Sequence, residues 1–62
     1  MILVTVWILF GVVSGGEMKH IGDYRTRAAC EAAQKDGMSK GLALRCMETR
    51  QVVPEDWYKG LQ

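Results

Sequence analysis

The opening thirteen residues, MILVTVWILFGVV, leave few folds open to this chain. No side chain from Met1 to Gly16 is charged, and the run is rich in β-branched and aromatic residues, which favours a strand. Successive strand residues point to opposite faces, so Ile2, Val4, Val6, Ile8 and Phe10 form one row. Leu3, Trp7 and Leu9, with Thr5 among them, form the other. Both rows are apolar, so a strand here needs cover on two sides.

Two other readings of the same segment are weaker. The apolar run from Ile2 to Val13 is interrupted by Thr5 and Gly11 and falls short of the roughly 20 residues a membrane-spanning helix needs. Its length suits the apolar part of a secretory signal, and Val13-Ser14-Gly15 offers small residues for cleavage. No Lys or Arg follows Met1, however, so a buried strand is preferred and no membrane partner is expected. The expected location is the cytoplasm of a host cell, with a secreted protein as the alternative.

Sixty-two residues make one domain, and a chain this short buries only about 60% of its unfolded surface. Its core alone is marginal, so a disulfide, a metal or a second copy is expected to help. The first strand, Leu3 to Phe10, runs toward a turn at Ser14-Gly15-Gly16. A second strand is expected over Glu17 to Tyr24, with Met18, His20, Gly22 and Tyr24 on one face and Gly22 marking a bulge. Thr26 then caps a helix from Arg27 to Asp36 that ends at Gly37. Its small residues Ala29, Cys30, Ala33 and Gly37 form an inward stripe, with Arg27, Glu31, Gln34 and Lys35 pointing away. After a loop from Met38 to Gly41, a third strand is expected from Leu42 to Val53, where Pro54 ends it.

The resulting fold class is α+β, a small ββαβ domain over residues 1–53 with a C-terminal tail over 54–62. A helix between the second and third strands makes those two parallel. The first strand then belongs in the middle, antiparallel to both, in the order 2-1-3 with the helix packed on one face. One helix covers one face only. If three large side chains on the other stayed wet, the burial forgone would be about 1.5 to 3 kcal/mol each. A second copy of the chain, the tail or a foreign partner such as a host protein must therefore cover them, and a homo-oligomer is favoured. The residues expected to make that partner contact are Leu3, Trp7, Leu9, Trp57 and Tyr58.

Cys30 on the helix stripe and Cys46 beside Leu42 and Leu44 can meet across the helix-sheet interface. A bond there closes a loop of about 15 residues and contributes about 3 kcal/mol. Two buried free thiols are the other possibility, with the bond slightly preferred. Together with His20 the cysteines supply three metal ligands without metal-site spacing, so no metal and no cofactor is expected. Cys30 with His20 is the one nucleophile-base pair available, and the helix buries that cysteine. Glu55 and Asp56 fit a solvated tail or a helix start, and Gly15-Gly16 lacks the setting of a phosphate loop. An enzyme is not expected.

Eight Lys and Arg against seven Asp and Glu give a formal charge of +1 and no charged run, so a nucleic-acid partner is not expected. The alternative to a protein interface is a small-ligand site for a nucleotide or an anionic messenger. Arg25 and Arg27 would flank the helix start, Lys40, Arg45 and Arg50 would come from the third strand and its loop, and Tyr24, Trp57 or Tyr58 would stack. The plainer reading of those charges is that they keep the domain soluble.

The residues VWILFGVV, GDYRTRAACEAAQK and LALRCM together resemble small proteins encoded by tailed bacteriophages and their bacterial hosts, in which an aromatic precedes a helix that begins with a cysteine. The resemblance spans most of the chain. It implies an accessory viral protein that blocks a host defence by binding a host protein or sequestering a signal, and it supplies no catalytic residues.

Overall fold

The computed structural model describes residues 1–13 and 15–61. The elements run β1 (Ile2–Val12), β2 (Met18–Tyr24), α1 (Arg27–Ser39), β3 (Leu44–Val53) and α2 (Glu55–Lys59). The three strands form one sheet in the order β2-β1-β3, with β1 antiparallel to both neighbours. This is the expected small α+β domain with the most apolar strand at its centre. Its β1-β2 turn is closed by hydrogen bonds from Val13 N to Glu17 O (2.9 Å) and Gly16 N to Val13 O (3.1 Å). Gly15 and Gly16 hold φ of 93° and 83°, which residues with a Cβ rarely adopt. Ser14, the first residue of the expected turn, lies outside the described residues.

Strand β2 departs from simple alternation. Leu9 pairs with Gly22 but Phe10 pairs with His20, leaving Ile21 as the extra residue of a bulge. His20 therefore shares a face with Phe10, while Gly22 and Tyr24 share the other with Leu9 and Trp7. The expected grouping of His20 with Tyr24 fails for that reason.

Thr26 caps α1, its Oγ1 accepting a hydrogen bond from Ala29 N at 3.1 Å. The helix does not stop at Gly37 as expected. Gly37 is buried inside it, and a Cβ there would overlap Leu44 Cδ1, so this glycine is where α1 meets β3. The stop comes four residues on, where Gly41 takes φ 89° and donates to Met38 O (3.0 Å) while Leu42 N donates to Gly37 O (3.1 Å). Gln34, expected to point away, is half-buried and donates to Leu44 O at 3.0 Å. With the helix extended, β3 begins at Leu44 and not at Leu42.

Within the expected tail, residues 55–59 form α2, with Glu55 and Asp56 in its first turn and Lys59 in its last. That placement of charge suits the helix dipole. Gln62, the end of that tail, lies outside the described residues.

Candidate functional site

The bond between Cys30 and Cys46 joins α1 to β3 with their Cα atoms 6.2 Å apart. Cys46 pairs with Leu9, so the bridge sits over the row Leu3, Thr5, Trp7, Leu9 and Gly11. Arg27, at the start of α1, lies 6.0 Å from the Trp7 ring centroid, and Gly37 approaches Leu44, which pairs with Gly11. The helix thus runs above the Trp7–Gly11 half of that row. At about 1.5 Å per residue its thirteen residues span about 20 Å, whereas the eleven residues of β1 at about 3.3 Å each span about 36 Å. One helix cannot cover the whole strand.

Consequently the face expected to stay open is the one that α1 half covers. Leu9 is 2% exposed and is a core residue, so it is not available to a partner. Trp7 is half-buried beneath Arg27. Leu3 lies beyond the helix at 60% exposure, beside its cross-strand neighbour Val52 at 62%.

The opposite face is also covered by halves. Val6 is 0% exposed and Val53, which pairs with Ile2, is buried, although both face away from α1. At that end of the sheet the chain passes from Val53 through Pro54 into α2, whose Tyr58, like Leu61 beyond it, is half-buried. Trp57 remains exposed. Toward the hairpin, the same face presents exposed Val12, Met18 and Met47 around half-buried Ile8 and Phe10. Cover on this sheet is therefore partial: α1 takes the hairpin half of one face, and on the other face the buried residues Val6 and Val53 lie toward the end where the chain turns into α2. Val12, Met18, Met47 and Val52 were missed in the sequence because their surroundings depend on how far each helix reaches.

The basic residues of the ligand alternative are dispersed. Arg27, Arg45, Trp7, Glu31, Gln34 and Cys46 line an open cavity of about 360 Å³. There Arg27 Nε already bonds Glu31 Oε1 at 2.6 Å. Arg45 borders the cavity from the β3 edge, while its pairing with Phe10 places its Cβ on the far face. Lys40 sits at the other end of α1 and pairs with Asp36 at 3.2 Å, and Arg50 is opposite Thr5 on β3. Arg25 is exposed and Tyr24 is half-buried against the bulge. Both cysteines are committed to the bridge, and His20 Nε2 lies 3.0 Å from Asp23 Oδ1 with its ring edge-on to Phe10. Among the described residues no three His, Cys, Asp or Glu side chains converge, and no helix is long and apolar enough to cross a membrane.

No family model, curated protein or solved structure matches this chain.

Proposed function

We propose that this protein is a non-catalytic binding module that self-associates, of the phage accessory kind that inhibits or sequesters a host factor. The observation that supports self-association is the partial cover of the sheet, which leaves Leu3 with Val52, and Val12 with Met18 and Met47, as apolar surface on a domain of 62 residues; the phage accessory role rests on the sequence resemblance alone. Apolar surface left uncovered on so small a domain commonly serves an interface. Leu3, Trp7, Trp57 and Tyr58 remain candidate contacts, and Leu9, a core residue, drops out. The bridged cysteines are compatible with the secreted alternative, since disulfides persist in oxidising compartments.

The small-ligand reading has less support, because Arg27 is neutralised by Glu31 and Lys40 by Asp36. Sedimentation equilibrium of the full chain from micromolar to millimolar concentration tests the preferred reading. A mass that rises toward twice 6.9 kDa is expected, and a single monomer mass throughout overturns self-association.

A further inference from the structure

Strand β1 is longer on one side than its neighbour can serve. It pairs with β3 from Ile2 to Gly11, but β2 reaches only from Val12 back to Trp7. The β2-side edge of Ile2–Val6 therefore has no strand beside it, and among the described residues no backbone hydrogen bond to a loop replaces one. Unpaired strand edges invite another strand, and proteins usually blunt them with charge, proline or a bulge. The other two edges of this sheet are blunted. Strand β3 carries Arg45, Glu48 and Arg50, and β2 carries Lys19, His20, Asp23 and the bulge at Ile21. Ile2–Val6 reads ILVTV, with no charge, no proline and no bulge.

We propose that this edge pairs antiparallel with the same edge of a second copy of the chain, an inference that rests on the self-association reading above. The sequence is self-complementary about Val4. With a two-fold axis there, Val4 faces its own copy, Leu3 faces Thr5 and Ile2 faces Val6, all uncharged pairs, as an interface between identical surfaces requires. Four strands then run unbroken in the order β3-β1-β1-β3. Strand β2 leaves the sheet at Tyr24 toward α1, so the slot beside Ile2–Val6 stays clear for the incoming strand. Exposed Leu3 and Val52 lie next to the join and extend it on the α1 face. The backbone groups left unpaired in one copy are satisfied by the other.

The test compares sedimentation velocity of the wild-type chain, Leu3→Lys and Met47→Lys, with far-UV circular dichroism to verify folding. Leu3 and Met47 are both exposed, and they sit on the edge strand and on the hairpin half of the opposite face respectively. Loss of the dimer in Leu3→Lys and its retention in Met47→Lys is the expected result. Amide exchange on the wild type supplies a readout free of mutation: exchange of amides within Ile2–Val6 should slow as concentration rises. A dimer that survives Leu3→Lys, or is lost only in Met47→Lys, with amide exchange in Ile2–Val6 independent of concentration, overturns edge pairing and leaves self-association standing. A wild type that stays monomeric overturns both.

Discussion

Removing the covalent tie between α1 and β3 should cost this protein much of its stability. In the double variant Cys30→Ala, Cys46→Ala, the unfolded chain regains the freedom of a loop whose ends are 16 residues apart, which is worth about 3 kcal/mol in the chain-entropy model. At about 0.05 to 0.15 kcal/mol per residue, the whole domain is stable by about 3 to 9 kcal/mol. The bridge is thus between a third and all of the margin. With a urea slope of about 1 kcal/mol per molar for so small a protein, the unfolding midpoint should fall by about 3 M. Far-UV circular dichroism across a urea titration reads this directly, provided both proteins are compared at one concentration, because any dimer stabilises by mass action. A midpoint within about 0.5 M of wild type, which is about 0.5 kcal/mol at that slope, would refute the reasoning.

Further tests separate the core from the surface. Leu9→Ala should destabilise by about 2 to 5 kcal/mol because it empties a site beneath α1. Leu3→Ala, on the same row but beyond the helix, should change the dilute monomer by about 0.5 kcal/mol or less; both are read by chemical denaturation. Gly37→Ala should cost about 1 to 3 kcal/mol despite alanine's better helix propensity, since its methyl meets Leu44, and a stabilised variant would contradict that packing. Ending the chain at Pro54 should bare Val53 and Val6, costing up to about 1.5 to 3 kcal/mol for each side chain fully exposed. An unchanged melting curve would mean that the C-terminal segment is not their cover.

Much of the architecture was legible because local signals agreed with one another. The both-sided apolar run placed β1 at the centre, Thr26 marked the helix start, and the helix stripe set Cys30 facing Cys46. What stayed hidden depended on tertiary reach. With both rows of β1 apolar, alternation alone cannot say which one α1 covers, and Leu9 was assigned to a partner when it belongs to the core. Gly37 carried the usual mark of a helix end, but its missing Cβ serves Leu44, and the left-handed residue is Gly41. Gly22 announced a bulge in β2, but Gly22 itself pairs with Leu9 and the extra residue is its neighbour Ile21, so the faces of β2 reverse one position earlier than expected. Helix α2 stayed undecided because Glu55 and Asp56 after Pro54 fit a solvated tail as well as a helix start, and the sequence alone does not choose between them. At the site, the exposure of Leu3 and Val52 follows from a helix about 20 Å long lying on a strand about 36 Å long, a mismatch visible only once α1 is placed.

Solvent accessibility mapped by a soluble paramagnetic probe in NMR, first at low and then at high protein concentration, tests the divided cover of the sheet most directly. In the dilute sample, Val6, Leu9 and Val53 should be shielded while Leu3, Val12, Met18, Met47 and Val52 are broadened, and Leu3 with Val52 should become protected as concentration rises. Shielding of Leu3 and Val52 already in the dilute monomer, or strong broadening of Val6 and Leu9, would contradict it.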